Sequence, residues 1–405
     1  MPRANLTFLC ISSYFKGADF LRACKQAGCT VLLLTSKKLE GKPWPRESID
    51  EFFFMEEDAD GQWNMEHVID GLAHLMRHRR LDRVVALDDF DVEKAALLRE
   101  HFRIPGMGQT TARYFRDKLA MRMKAAEAGI DVPPFCALFN DNVVNHYTQT
   151  VSPPWVVKPR SEASTTGIRK VNDAGQLWEV LKQLGDKRQH YLLEQFKPGD
   201  VYHVDALTLG GKVIFDSCNR YLNTPMEVAH GGGIFRSVTV PFGSKSEKSL
   251  KKLNARILNA FGMRYSASHT EMIHAKDDDQ FYFLETASRV GGANIAEMVE
   301  TATGINLWRE WANIEAAMAR HETYKLPEVQ RNFAGIIISL ARYENPDISS
   351  FTDAEIVWRM TDPHHVGFIV QSPVRDRVLE LLESYADRIY RDYHASAPVP
   401  NRPAS

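Results

Sequence analysis

Residues 281–294 read FYFLETASRVGGAN. Four apolar or aromatic residues, as in a buried strand, lead to Glu285, then Arg289, then Gly291 and Gly292 on what should be a loop. The longer stretch HTEMIHAKDDDQFYFLET is expected to fold as a β-hairpin turning around Asp277–Asp279, which puts Glu271 directly opposite Glu285. Like charges in that position destabilise a hairpin. The pair therefore implies either a raised carboxyl pKa or a shared cation, unless one Glu simply faces solvent. A hard cation such as Mg²⁺ suits one or two carboxylates plus phosphate oxygens. Arg289 would then meet charge developing on the bound group, and the two glycines would let the backbone approach it closely.

Two lysines and a turn extend this chemistry. Lys158 ends the apolar strand PPWVVK, where a lysine is rarely buried without an anionic partner. The loop after it, PRSEASTTGI, is rich in hydroxyls and suits a phosphate cover. Lys118 sits on the helix expected after Thr111; taken alone it reads as a solvated helix position. In LLEQFKPGD a strand runs into Glu194 and a Pro-Gly turn, so exposed backbone at Gln195–Phe196 could hydrogen-bond a purine edge.

Three kinds of region must position these groups. Strands and helices alternate over about residues 1–110, which predicts an open parallel α/β sheet. GMGQTTARYFRDKLAMRMKAAEAG reads as one helix, capped by Thr110 or Thr111 and closed at Gly129, before the extended linker DVPPF. Beyond it short strands dominate, with a hairpin turning at Gly210–Gly211, as in an α+β region. From about residue 331 come three more strands and a long helix, and the tail after 394 has too little apolar content to fold.

Composition narrows the function classes. The 405 residues carry a formal net charge of −2 and no basic run, which points away from nucleic acid and from anionic membrane. No apolar run reaches membrane-spanning length, so no membrane partner is expected. The five cysteines include no CxxC pair, which predicts free thiols and a cytoplasmic-type compartment. There is no P-loop, no GxSxG elbow and no HExxH, and His364–His365 lack metal-ligand spacing.

Taken in order, RDKLAMRMKAAEAGIDVPPF, WVVKPRSEASTTGI, LLEQF, HTEM and LETASRVGG resemble the ATP-grasp superfamily, especially its L-amino-acid ligase and biotin-carboxylase-like branches; the match covers about residues 113–294. The resemblance implies an N-terminal Rossmann-like unit over 1–112 and an ATP-grasp nucleotide-binding unit over 113–306, with a lid at about 130–193. It further implies an α+β unit over 307–394 completing the large subdomain, and a disordered tail at 395–405. It assigns Lys118 and Lys158 to the nucleotide phosphates, and Glu194 with the backbone of Gln195 and Phe196 to adenine. Glu271 and Glu285 become ligands of Mg²⁺ (or Mn²⁺), and Arg289 the arginine of the transition state. Many members carry Asn where Ala287 stands, and a ribose-binding acid where Val201 stands; Asp200, His203 or Asp205 could substitute, and His203 fits the carboxylase pattern best.

The activity implied is ATP-dependent joining of a small carboxylate to an amine through an acyl phosphate, releasing ADP and phosphate, in a protein that could act as a homodimer. Substrate specificity is then expected in NTPMEVAHGGGIFRSVTV, where Arg236 could grip a carboxylate and His230 contact the amine; the bland reading of both is a surface Arg and a loop His. Bicarbonate activation with a separate biotin carrier, and a nucleotide-binding regulator without turnover, are the alternatives.

Overall fold

The computed structural model describes residues 5–162 and 166–396; the side chains of 229–231 are also outside that description. The tail from 397 onward therefore lies outside the described residues, as does the centre of the hydroxyl-rich loop.

The N-terminal unit comprises β1 (Thr7–Ser12), α1 (Ala18–Gln26), β2 (Thr30–Ser36), β3 (Glu51–Met55), α2 (Met65–Met76), β4 (Arg83–Ala86) and α3 (Val92–Phe102). Its sheet runs β3-β2-β1-β4 and is parallel throughout. β1 and β2 are buried on both faces, which is why they read as continuous apolar runs rather than alternating ones.

The single helix expected over 110–129 is two helices, α4 (Gln109–Arg113) and α5 (Lys118–Glu127). Asp117 explains the break. Its side chain caps α5 by accepting from the amides of Leu119 and Ala120 at 3.0 and 3.4 Å, and an Asp satisfies a helix start better than a helix interior. The break puts Lys118 at the first turn of α5 and frees Arg116 from the helix face.

A small antiparallel sheet follows. β5 (Phe135–Ala137), α6 (Asp141–Thr150), β6 (Trp155–Pro159), β7 (Arg169–Val171), α7 (Ala174–Leu184) and β8 (Tyr191–Gln195) give the order β5-β8-β6-β7.

The remaining chain builds one eight-stranded sheet, ordered β13-β12-β9-β10-β11-β14-β16-β15. It contains β9 (Gly199–Leu209), β10 (Lys212–Tyr221), α8 (Pro225–Gly231), β11 (Phe235–Thr239), α9 (Lys245–Ala260), β12 (Tyr265–Ala275) and β13 (Phe281–Ala287). Then come α10 (Ile295–Thr303), α11 (Leu307–Arg320), β14 (Phe333–Leu340), β15 (Ile356–Arg359), β16 (His365–Ser372) and α12 (Arg375–Asp392). The strands after residue 331 thus hydrogen-bond into the same sheet as the hairpin, through β11 and β14. One face packs on α9 through Tyr202, Val204, Met272 and Phe283; on the other, α11 joins the sheet to α1, with Phe20 edge-on to Trp311.

β12 and β13 pair with Glu271 opposite Glu285. Immediately beyond, Met272 faces Phe283, so Leu284 is an extra residue. This bulge lets Leu284 and Glu285 line the same cavity although they are adjacent in sequence. Arg122 of α5 donates to the Leu284 carbonyl and pins the bulge.

Candidate functional site

Two cavities meet at the hairpin. The larger, about 650 Å³, lies between the small sheet and the edge of the large one. Lys118, Lys158, Glu194, Gln195, Phe196, Glu271 and Glu285 all line it, so the fold brings together seven residues singled out in the sequence. The smaller, about 320 Å³, shares Lys118, Glu271 and Glu285 and adds Arg289, Gly292, Ala287, Asp89 and Arg116. The paired acids therefore form the wall between the two spaces.

In the larger cavity Lys158 is 7% exposed and donates to Glu194. Glu194 also accepts from Arg122 Nε at 3.0 Å. Burial pulls the Lys158 ammonium down to about 8; Glu194 opposes the shift and Arg122 adds to it. Burial works against the Glu194 carboxylate as well, but Arg122 and Lys158 outweigh it and hold the group below its usual range. Both Glu194 oxygens are engaged, so its side chain anchors Lys158 rather than meeting a base edge. The Gln195 and Phe196 amides donate to Pro134 and Pro154 carbonyls at 2.8 and 2.9 Å. A purine edge at this turn would have to use backbone carbonyls rather than these two N–H groups.

The acids are not left to repel each other. Lys118 Nζ lies 2.7 Å from Glu285 Oε2 and 2.7 Å from the Glu162 carbonyl. Burial disfavours the Glu285 carboxylate, yet Lys118 overcomes this and holds it below its usual range. Glu271 Oε1 accepts from the Tyr221 hydroxyl at 2.9 Å. Among the described residues each acid keeps its other oxygen without a hydrogen bond, which is a donor set suited to a hard dication.

Arg289 lines the smaller cavity and pairs with Asp89 of the N-terminal unit, Nη2 to Oδ2 at 2.5 Å. Burial disfavours its charge, but Asp89 more than compensates and the guanidinium titrates above its ordinary value. Gly291 serves a different close approach from the one expected: a Cβ there would stand 2.9 Å from Asp205 and 3.0 Å from His269. Gly292 faces open space in the smaller cavity.

Two expected residues are elsewhere. His203 does not line the larger cavity. It is fully buried, with Nδ1 on Asp205 at 2.7 Å and Nε2 on Ser237 at 2.7 Å, so neither ring nitrogen is left for a ribose. Val201 does line that cavity and offers no polar group. Arg236 does not face either cavity. Strand alternation turns Phe235 and Ser237 toward the site and Arg236 to the opposite face, where it bonds Asn223 at 2.9 and 3.1 Å and Glu383 of α12 at 3.1 Å. The His230 side chain lies outside the described residues; its backbone is in α8.

Sequence reasoning passed over Asp89, Arg116, Arg122, Tyr221 and His269. For His269 a signal existed: it stands two residues before Glu271, hence on the same strand face, and it lines the smaller cavity. Its Nδ1 is 2.8 Å from Asp205 Oδ1. Burial disfavours the imidazolium, but Asp205 and then Glu271 raise it to about 10. The other residues are brought in from separate elements and carry no local signature.

No family model matches the sequence. An L-arginine-specific L-amino acid ligase of Bacillus subtilis is 25% identical over 242 residues, which cover 58% of this chain and 57% of the relative. The chain thus spans a little over half of that relative's length. The L-amino acid ligase of Bacillus licheniformis superposes with a TM-score of 0.73 at 18% identity, over 97% of this chain and 99% of the other. The biotin carboxylase domain of Hydrogenobacter thermophilus 2-oxoglutarate carboxylase, solved with MgADP and bicarbonate, gives a TM-score of 0.71 at 15% identity over 97% and 91%. These relatives and neighbours are ATP-grasp enzymes, and the chain has the ATP-grasp fold. Among the described residues no helix is long and apolar enough to cross a membrane, and all five cysteines are free and buried.

Proposed function

We propose that the protein is an ATP-dependent carboxylate–amine ligase acting on a small amino-acid-like substrate. The observation that carries this reading is the wall formed by Glu271 and Glu285 between a lysine-bearing cavity of about 650 Å³ and an arginine-bearing cavity of about 320 Å³. ATP would occupy the larger space, with Lys118 and Lys158 on its phosphates and Gln195–Phe196 at the base. Mg²⁺, held by the two acids, would draw charge off the phosphoryl oxygens.

The γ-phosphoryl group passes to a substrate carboxylate oxygen and ADP leaves. The amine nitrogen then bonds to the acyl carbon, the C–O bond to phosphate breaks, and the amine gives up its proton. Arg289 faces the transferring group from the smaller cavity, fixed beforehand by Asp89, so its charge is in place without reorganisation. Residues 1–112 serve as the N-terminal unit, 113–306 as the nucleotide-binding unit with a lid over about 130–193, and 307–394 complete its large sheet. The five buried free thiols suit a cytoplasmic enzyme, alone or as a homodimer.

The test is phosphate release from ATP and Mg²⁺ with a panel of amino-acid pairs, and separately with bicarbonate. Release only with pairs supports the ligase. Release with bicarbonate alone favours a carboxylase, and tight ATP binding without release under any condition favours a regulator.

A further inference from the structure

Among the cations of the smaller cavity, three sit on acids of their own. Arg289 pairs with Asp89, Lys118 with Glu285 and His269 with Asp205. Arg116 is the exception. It is only 8% exposed and lines the cavity, yet its guanidinium makes no hydrogen bond or ion pair among the described residues. Its guanidinium lies over the ring of Phe90, 4.3 Å from the centroid, and Phe90 in turn stacks on Tyr14.

A guanidinium lying on an aromatic ring engages its face. The N–H groups point outward in the guanidinium plane, and that edge is what a carboxylate binds with two parallel hydrogen bonds. A buried charge left without a partner is costly, so such groups are normally paired in the working state of a protein. The neighbouring acid Asp89 feels the Arg116 charge but makes no hydrogen bond or ion pair with it: its Oδ2 is held by Arg289 and its Oδ1 has no hydrogen bond. The interruption of the helix before Asp117 turns Arg116 to the cavity: as the last residue before the cap of α5, it lies outside both flanking helices.

We propose that Arg116, stacked on Phe90, binds the α-carboxylate of the acceptor substrate, so that the amine partner is an amino acid with a free carboxylate rather than a simple amine. This rests on the ligase reading above, and it moves the role first expected of Arg236 to a residue that faces the site. The product would be a peptide with a free C-terminal carboxylate. Arg116 holds the acceptor at its far end while the amine nitrogen reaches toward the acyl carbon near Glu271 and Glu285.

The experiment uses the full chain with ATP and Mg²⁺. One free L-amino acid serves as the carboxylate donor, and the second is offered either as the free acid or as its α-carboxamide, which can act only as acceptor. Arg116→Ala should raise the KM of the free-acid acceptor about 10- to 100-fold, the loss of a charged hydrogen-bonding pair. The ATP KM should stay within about twofold, since Arg116 does not line the nucleotide cavity. The carboxamide should show the same raised KM in both proteins, and Arg116→Lys should recover part of the loss. An unchanged free-acid KM in Arg116→Ala, or equal losses for acid and carboxamide, would overturn the proposal.

If wild type releases no phosphate with any pair, the ligase reading fails by itself. Thermal unfolding with a non-hydrolysable ATP analogue then decides the subsite. A shift caused by free L-amino acids, absent with their carboxamides and lost in Arg116→Ala, keeps the carboxylate site; no shift with any amino acid removes it.

Discussion

The two cavities handle charge differently. In the larger one Lys158 and Lys118 already rest on protein carboxylates, Glu194 and Glu285. In the smaller one Arg116 has no ion pair among the described residues, and Asp89 Oδ1 and Arg289 Nε are buried without hydrogen bonds. The first arrangement is stable before any ligand arrives, and the proposed nucleotide would have to share its cations with Glu194 and Glu285. The second pairs Arg289, Lys118 and His269 with acids and leaves Arg116 without an ion pair, which under the proposal above falls to the substrate. The difference teaches that pre-pairing lets buried cations line a cavity before any ligand arrives, while an unpaired cation marks the place where a ligand's charge would count most.

The largest expected effect tests the pre-paired side. Glu194→Gln removes the anion between two buried cations, Arg122 and Lys158, whose side chains are 0% and 8% exposed. Urea unfolding should show a loss of about 3–5 kcal/mol. A loss below ~1 kcal/mol would mean that Glu194 does not hold the lysine in place. Arg289→Ala should be nearly as severe for the reaction and mild for binding. We expect kcat to fall about 100- to 1000-fold, the usual effect of deleting one preorganised charge stabiliser. An unchanged kcat, or a change confined to the ATP KM, would take Arg289 out of the phosphoryl transfer.

A smaller effect should appear in the pH dependence. The Lys158 pKa lies below its ordinary value, at about 8. Below that pH the free protein carries the cation that ATP needs; above it binding must first restore the proton. The ATP dissociation constant should therefore rise roughly tenfold per pH unit above about 8. In Lys158→Arg the rise should vanish, because an arginine stays charged. A flat wild-type profile up to pH 9.5 would show that the lysine is not on the phosphates. The smallest effect belongs to Arg236→Ala. It loses an ion pair to Glu383, whose side chain is 74% exposed, so stability should drop by about 1 kcal/mol or less. Both substrate KM values should stay within about twofold, and a large rise in either would return Arg236 to the site.

The hairpin was legible because its signal is local. The turn near Asp277–Asp279 and the two-residue period of a strand bring Glu271 to within one residue of facing Glu285, and the bulge at Leu284 completes the pairing. The same hairpin also shows where locality ends. The bulge at Leu284 depends on Arg122, which reaches its carbonyl from α5, 162 residues earlier in the chain.

Arg236 and His203 show the same limit from the other side. Their residue types and their order along the chain fit the resemblance. Strand alternation puts Arg236 on the face of β11 toward α12, where it bonds Glu383, and His203 is taken up by Asp205 and Ser237.

By itself the sequence determined the element types, the order of the lysines and acids, and the class of chemistry they support. Those follow from periodicity, capping residues and short-range spacing. Only the tertiary structure decided which charges are paired. Asp89 reaches Arg289 across 200 positions and Glu194 reaches Arg122 across 72, and neither distance leaves a trace in local pattern. Arg116 is the clearest case: its type is visible in the sequence, but its lack of an ion pair among the described residues appears only once the surrounding elements are in place.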